Sequence, residues 1–229
     1  MKTLGLIGGL SWESSTEYYR YINTFVKEEL GGLNSAKCLM HSFNFAEIVE
    51  MQHNGEWEKA TQAMVDAAKK LEGGGADAIV ICTNTMHKMA DDLEKNVVIP
   101  LIHIADATAA KIKEQGLDAV GLLGTNFTME QDFYKERLKK HGIDVVVPDG
   151  EDRKIVHNVI YEELCQGVVK ESSKKAYLEI LSRLADKGAQ GVVLGCTEIP
   201  LLINQNDTSM PLFDTTYLHS KAAAEFAMK

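Results

Sequence analysis

The chain contains an internal repeat, and this repeat sharply narrows the folds open to it. The segment LGLIGGLSWESSTEYYRYI near the N-terminus resembles VGLLGTNFTMEQDFYKERL in the second half. Four matches follow in the same order at a spacing near half the chain: Gly5 with Gly121, Tyr19 with Tyr134, Cys82 with Cys196, and Pro100-Leu101 with Pro211-Leu212. Chance seldom preserves both order and spacing, so the sequence predicts two homologous halves of the same topology, related by a pseudo-twofold axis.

Short apolar β-type segments alternate with helical patterns in both halves. ADAIVIC and AQGVVLGC are nearly continuous apolar runs, which is typical of strands that are covered on both faces. Strands separated by helices indicate βαβ units and parallel sheets. The sequence therefore predicts an α/β fold of two pseudo-symmetric, Rossmann-like lobes, each with a parallel four-stranded sheet, and an active site in the cleft between them.

The repeat also predicts where the chain passes between the lobes. We expect residues 1–99 and 210–229 to form an N-terminal lobe that carries Cys82. Residues 100–209 should form a C-terminal lobe that carries Cys196. A last helix, at about Tyr217–Ala227, would complete the N-terminal lobe.

Composition excludes several classes of protein. A net charge of −9 in 229 residues argues against nucleic acid or an anionic membrane surface as a partner. The N-terminal apolar stretch is broken by glycines and predicts a strand rather than a signal peptide, so we expect a cytoplasmic protein with reduced thiols. The four cysteines lack the spacing of a zinc site, and no metal is expected.

Both Cys-Thr pairs come directly after a predicted strand. Ligands of open α/β sheets bind outside the carboxyl ends of the strands, so Cys82 and Cys196 should face one cleft from opposite sides. Two equivalent groups on opposite faces of one atom suit inversion at a carbon acid, with a thiolate removing the proton and a thiol returning one. Helix N-termini after each pair are expected to favour the thiolate.

Polar residues at the predicted strand ends could hold a carboxylate, and Glu198 could pair with an ammonium group or orient Cys196. These candidate residues are Ser11, Thr83, Asn84, Thr85, Thr125, Thr197 and Glu198. Plainer interpretations stay open. A strand-end cysteine is often a small buried apolar residue, Glu198 could be a first-turn carboxylate, and His87 could cap a helix or lie at the surface. Cys38 and Cys165 have no counterpart in the repeat and are predicted to be structural.

At these residues the chain resembles the aspartate/glutamate racemase superfamily. The similar segments are GLIGGLSWESS, CTNTMHK, LLGTNFTMEQDFY, EELCQG and GCTEIPLL. The resemblance covers essentially the whole chain. It implies a two-lobed racemase without pyridoxal phosphate or another cofactor, with Cys82 and Cys196 as the acid/base pair. It further implies that Asn84, Thr85, Thr125 and Thr197 hold the α-carboxylate of an amino-acid substrate, and that the enzyme is a homodimer.

Details within the motifs resemble the aspartate-racemase branch and, within it, the racemases of broad specificity. Glu198 stands where glutamate racemases carry histidine. AEIVEMQHNGEW contains Gln52 but no arginine or lysine, and Cys165 lies where a lysine would be sought. A second substrate carboxylate would need a cation, so Gln52 suits a polar uncharged side chain better.

Two other functions remain compatible with the sequence. The same superfamily contains decarboxylases and maleate-type isomerases that use these cysteines. A non-catalytic amino-acid-binding protein would explain the symmetry and the polar groups, but it gives the paired thiols no role.

Overall fold

A computed structural model describes all residues from 1 to 229, and it divides into two units. The first comprises 1–104 and 219–229, and the second comprises 105–218. The strands are β1 (Thr3–Gly8), β2 (Lys37–Ser42), β3 (Ala78–Ile81), β4 (Leu101–Ile102), β5 (Ala119–Gly124), β6 (Asp144–Val146), β7 (Val192–Gly195) and β8 (Leu212–Asp214). The helices are α1 (Trp12–Leu30), α2 (Phe45–His53), α3 (Trp57–Gly73), α4 (Ala90–Asn96), α5 (Ile104–Glu114), α6 (Asn126–Glu130), α7 (Asp132–Lys140), α8 (Gly150–Glu162), α9 (Glu171–Asp186) and α10 (Thr215–Met228).

Each unit contains one parallel four-stranded sheet. The strand order is β2-β1-β3-β4 in the first unit and β6-β5-β7-β8 in the second. Neighbouring strands run parallel in every pair. The two orders are equivalent, and the predicted α/β class with two parallel four-stranded sheets is confirmed.

Side chains alternate along the first sheet and assign Cys82 to one of its faces. On that face Leu4, Leu6, Val80 and Cys82 pack against α1 and α10, the latter through Ala223, Ala224 and Ala227. On the opposite face Ile7, Ile79 and Ile81 pack with Met64 and Ala68 of α3. The central strands are therefore buried on both faces, which explains their unbroken apolar sequence.

Close packing explains why the repeat has a glycine at both Gly5 and Gly121. A Cβ atom on Gly5 would lie 2.9 Å from Cβ of Ala76, and one on Gly121 would lie 2.9 Å from Cδ1 of Leu184. Both glycines sit in the strand that lies second in its sheet, where a neighbouring segment approaches closely.

The pairing of Tyr19 with Tyr134 is wrong by one residue. Tyr19 is exposed, whereas Tyr18 and Tyr134 are fully buried. The Tyr18 hydroxyl lies 2.8 Å from Nδ1 of His219, and the Tyr134 hydroxyl donates to Oγ1 of Thr108 at 3.2 Å. Tyr18 is therefore the structural counterpart of Tyr134. These two tyrosines have the same spacing in the chain as Gly5 and Gly121.

The chain passes between the units after β4 and again after β8, not before these strands. The amide of Ile79 donates to the Pro100 carbonyl at 2.8 Å, which holds this segment in the first unit. The amide of Val192 donates to the Pro211 carbonyl at 2.8 Å in the second. The last helix then joins the first unit, where the Lys2 amide donates to the Ala227 carbonyl at 2.8 Å.

Candidate active site

Cys82 follows β3 directly and is fully buried. Its amide donates to the Ile7 carbonyl of β1 at 2.9 Å, so the sheet ladder continues to this residue. Its carbonyl accepts a hydrogen bond from the Ser14 hydroxyl of α1 at 2.8 Å. Strand and helix therefore both fix the backbone that carries the thiol.

The environment of Cys82 favours the neutral thiol. Burial raises its pKa well above the usual range of a cysteine, and the nearby Cys38 adds to this effect. The sulfur lies 3.9 Å from the Val80 carbonyl, which is an acceptor and offers no stabilisation to a thiolate.

The residues after Cys82 form a short 3₁₀ turn, Thr85–Met89. Asn84 precedes the turn and is buried, while Thr83 and Thr85 are half-buried. The first unit thus brings three predicted substrate-binding residues together beside the thiol.

Gln52 lies near the same turn. Its side-chain amide donates to the thioether sulfur of Met86 at 3.2 Å, and Met86 follows Thr85 in the turn. Lys88 of the turn carries its ammonium 3.8 Å from the ring centroid of Trp57. A basic residue therefore lies on the turn after Cys82, although the segment AEIVEMQHNGEW contains no arginine or lysine.

Ser11 and the glycines before it organise the start of α1. Ser11 is the N-cap, and its hydroxyl accepts from the Ser14 amide at 3.2 Å. Gly9 adopts a φ of 71°, and a Cβ atom there would lie 2.2 Å from the Phe43 carbonyl oxygen. The position therefore requires glycine because the backbone after β2 approaches it closely.

In the second unit, Cys196 follows β7 and is half-buried. Its thiol donates to Oε2 of Glu198 at 2.9 Å. Burial raises the pKa of Cys196 well above its usual range, and the negative charge and hydrogen bond of Glu198 raise it further.

The expectation that helix N-termini would favour both thiolates is therefore wrong for these two sites. The elements after Cys82 and Cys196 are 3₁₀ turns, Thr85–Met89 and Ile199–Leu201, rather than long helices. Few aligned peptide dipoles act on either sulfur, and burial outweighs them.

Thr125 and Thr197 occupy strand ends of the second unit. Thr125 is buried after β5, and its hydroxyl oxygen lies 3.4 Å from that of Thr128. Thr197 is half-buried between Cys196 and Glu198. Together with those two residues they line up along the carboxyl ends of β5 and β7, which pair in parallel.

Sequence reasoning missed several residues near the two thiols. Ser14 donates a hydrogen bond to the Cys82 carbonyl. The paired serines in SWESS are the sequence feature that could have indicated this contact. Tyr161 of α8 has its pKa raised to about 12 by burial, then by Cys196, Cys165 and Glu198, so it lies in the electrostatic neighbourhood of Cys196. The sequence linked Cys165, just after α8, to the substrate side chain but did not single out Tyr161.

The other cysteines and His87 differ in their surroundings. All four cysteines are free thiols; Cys38 is half-buried and Cys165 is exposed. His87 is buried rather than at the surface, and its ring bonds the backbone instead of capping a helix. No group of three or more histidine, cysteine, aspartate or glutamate side chains is arranged to hold a metal ion. None of the helices combines the length and apolar character that crossing a membrane requires.

Comparison with known proteins agrees with this architecture. The family model described as Asp/Glu/hydantoin racemase matches residues 7–223. A candidate Asp/Glu racemase from Yersinia pestis has 54% sequence identity and a TM-score of 0.96, with 100% of both chains covered. An aspartate racemase homologue from Pyrococcus horikoshii has 36% identity and a TM-score of 0.90, again with 100% of both chains covered.

A curated protein of similar sequence supports the same family assignment. The broad specificity amino-acid racemase RacX of Bacillus subtilis is 22% identical over 165 residues, which is 72% of this chain and 71% of RacX. The predicted resemblance is confirmed, and the chain belongs to the Asp/Glu/hydantoin racemase family as an isomerase of the amino-acid racemase class.

Proposed function

We propose that this chain interconverts the L- and D-enantiomers of an amino acid by two-base proton transfer at the α-carbon, without a cofactor. The observation that carries the proposal is the repeated placement of a thiol directly after equivalent strands, Cys82 after β3 and Cys196 after β7. One sulfur would remove the α-proton as a thiolate. The other would donate its S–H proton to the opposite face, so the two sulfurs would exchange protonation states in each turnover.

Glu198 has a role in this scheme. Because its carboxylate accepts the Cys196 proton in a hydrogen bond, it is placed to orient that sulfur and to receive the proton. Burial keeps both thiols protonated in the free enzyme. The ammonium group of a bound amino acid would favour a thiolate, since an opposite charge stabilises the ionised form.

We propose that the α-carboxylate is held by Thr83, Asn84 and Thr85 in the first unit and by Thr125 and Thr197 in the second. Hydroxyl, amide and backbone N–H groups are suitable donors for a carboxylate. The N-terminal Ser11 is proposed as a further contact, although its hydroxyl already caps α1.

We propose broad specificity, with Gln52 beside the substrate side chain. The support is its position against Met86, next to the turn that holds Thr85. A screen of the twenty common amino acids and homoserine tests this point. Gln52→Ala should lower kcat/KM for the polar uncharged substrates more than for alanine, and an equal loss for all substrates would contradict it.

The decisive experiment follows the α-hydrogen. In deuterated water, racemisation should incorporate deuterium at the α-carbon, measured by NMR, together with chiral chromatography of the product. Cys82→Ser and Cys196→Ser should each lower the racemisation rate by about 10²–10⁴-fold, whereas exposed Cys165→Ser should retain it. Near-normal racemisation in either single variant would contradict the two-base mechanism.

The same assay separates the alternatives. Loss of carbon dioxide from the substrate would indicate a decarboxylase, and a covalent adduct of Cys82 with maleate would indicate a maleate-type isomerase. Tight binding of one enantiomer without α-exchange would indicate a binding protein.

We further propose a homodimer in the cytoplasm. Trp12 and Tyr19, one heptad apart on α1, are 68% and 53% exposed, and such aromatic residues are enriched at interfaces. Four free thiols suit a reducing compartment. Light scattering after size exclusion should give twice the chain mass, and Trp12→Glu should lower it.

A further inference from the structure

Three histidines lie together inside the first unit, next to the Cys82 segment. His87, His103 and His219 are all buried. The ring centroid of His87 lies 4.7 Å from that of His103 and 5.4 Å from that of His219. The racemase mechanism proposed above uses none of these imidazoles.

Both nitrogens of His87 contact backbone groups, and these contacts fix its tautomer. Nε2 lies 3.2 Å from the Ile104 amide, which can only donate, so Nε2 accepts. The proton must then reside on Nδ1, which lies 2.7 Å from the Thr83 carbonyl and donates to it. The ring is neutral, and it joins Thr83 to Ile104.

The contacts of His219 fix the opposite tautomer. Nε2 lies 2.6 Å from the Ile102 carbonyl, which can only accept, so Nε2 carries the proton. Nδ1 lies 2.8 Å from the Tyr18 hydroxyl and accepts its proton. This ring joins α1 to the last residue of β4.

The two rings converge on one stretch of chain. Ile102 and Ile104 border the point where the chain leaves the first unit, and His219 is the residue at which it returns. Through His87 this stretch is bonded to Thr83, the residue directly after Cys82. The Thr83 carbonyl is thus linked through His87 to the segment where the chain leaves the first unit.

We propose that His87 is a positioning residue: its Nδ1–H bond to the Thr83 carbonyl holds the Thr83–Thr85 backbone, while the Ile104 amide fixes the ring and its tautomer from the other side. Its effect on structure is independent of the reaction, and only its effect on kinetics rests on the proposed function. Losing the Nδ1–H donor would leave the Thr83 carbonyl without this partner and loosen the donors that would bind the carboxylate.

Two amide substitutions separate the roles of the two ring nitrogens. Asparagine places its N–H group near the position of Nδ1 and can still donate to Thr83. Glutamine places its amide near Nε2 and can accept from Ile104, but it loses the donor to Thr83. The measurements are hydrogen–deuterium exchange of the 83–87 amides by mass spectrometry, and KM with kcat for racemisation.

In His87→Gln we expect exchange at 83–87 to rise by about tenfold and KM to rise by about tenfold, with a smaller change in kcat. His87→Asn should stay within about threefold of the wild type in both quantities. Tyr18→Phe is the control, because it removes the donor to His219 while leaving both contacts of His87; exchange at 83–87 should not change.

Equal effects of the two His87 variants, or unchanged exchange at 83–87 in His87→Gln, would overturn the proposal. The wild-type chain offers a test that needs no substitution. Its ¹⁵N spectrum should show His87 protonated at Nδ1 and bare at Nε2, and the reverse pattern would also overturn it. If no amino acid is racemised, the proposed function fails, while exchange and tautomer still decide the role of His87.

Discussion

Burial and, after it, the neighbouring side chain of Glu198 are the main influences on the acidity of Cys196. After burial, the carboxylate charge and its hydrogen bond are the largest causes that raise the pKa of this thiol. A sulfur held in this way keeps its proton until a positive charge arrives, which would limit oxidation and alkylation of the resting enzyme.

Glu198→Gln should therefore lower the pKa of Cys196, because the negative charge is removed while the size of the side chain is kept. Iodoacetamide labelling of Cys196 at a series of pH values, read by peptide mass spectrometry, should show its midpoint shifted to lower pH. Glu114→Gln on α5, whose carboxylate is not among the causes of the shift, is the matched control. An unchanged or higher midpoint would contradict the assignment.

His87 should make the fold sensitive to acid. Burial lowers its pKa well below 6.5, and the facing rings of His103 and His219 add to this effect. The unfolded chain therefore binds a proton as pH falls below 6.5, whereas the folded chain does not. The stability that this group contributes is complete above that pH and is lost below it.

Between pH 6.5 and about pH 5.5, this single group should reduce the free energy of unfolding by about 1 kcal/mol. Urea denaturation at the two pH values measures the loss, and His87→Asn should remove this part of it. His53→Asn, at an exposed position on α2, is the comparison variant. If His87→Asn retains the full dependence, other groups are responsible.

At the scale of elements, Gly5 of β1 and Gly121 of β5 are equivalent in position but should differ in how well they tolerate an added Cβ atom. The nearest atoms to a Cβ on Gly5 are Cβ of Ala76 at 2.9 Å and Cβ of Leu71 at 3.1 Å, which cannot move without the backbone. At Gly121 the nearest atom is the end of the Leu184 side chain, which can rotate away.

We therefore expect Gly5→Ala to cost about 1–3 kcal/mol of unfolding free energy, and Gly121→Ala to cost less. Gly150→Ala at the start of α8, where nothing lies within 4 Å, should be neutral or slightly stabilising. Urea denaturation of the three variants tests this order, and a larger loss in Gly121→Ala than in Gly5→Ala would contradict it.

The sequence predicted the strands better than the segments that join them. Apolar runs covered on both faces identified β3 and β7, and hence the positions of Cys82 and Cys196. The sequence pattern does not separate α2 from β2, because HSFNF continues the apolar pattern of β2 and only the Asn44 cap marks the change. The helical segment after Thr125 is interrupted at Gln131, between α6 and α7, which the repeat with the uninterrupted α1 does not indicate.

The properties of the candidate site were harder to predict from the sequence than the strands were, for a physical reason. The acidity of a thiol depends on burial and on neighbours that are distant in the chain, such as Cys38 for Cys82 and Cys165 for Cys196. Local spacing cannot supply those contacts. The one-residue error at Tyr19 has a similar origin, because only the buried hydroxyl bond to His219 identifies Tyr18 as the repeated position.

At the scale of the whole molecule, the first unit depends on the end of the chain. Ala223, Ala224 and Ala227 of α10 pack with Leu4, Leu6 and other residues of the first sheet. His219, on the same helix, bonds both Tyr18 and the Ile102 carbonyl. The second unit, by contrast, is one continuous segment, 105–218.

Removal of residues 219–229 should therefore unfold or greatly loosen the first unit and leave the second folded. Hydrogen exchange resolved by peptide should become fast in β1 and β3 but stay slow in β5 and β7. Removal of 228–229 alone, which leaves His219 and the alanines in place, is the control. Retained protection of β1 after the longer deletion would contradict this dependence.

The interleaved connection of the two units has a consequence for biosynthesis. Domains made on a ribosome generally mature in the order in which they emerge, from the N-terminus onward. Here the earliest strands must wait for α10, which is translated after residues 105–218, so those residues can finish folding beforehand. The nascent chain would thus complete the second unit first, with the apolar sheet of the first unit exposed to chaperones until α10 emerges.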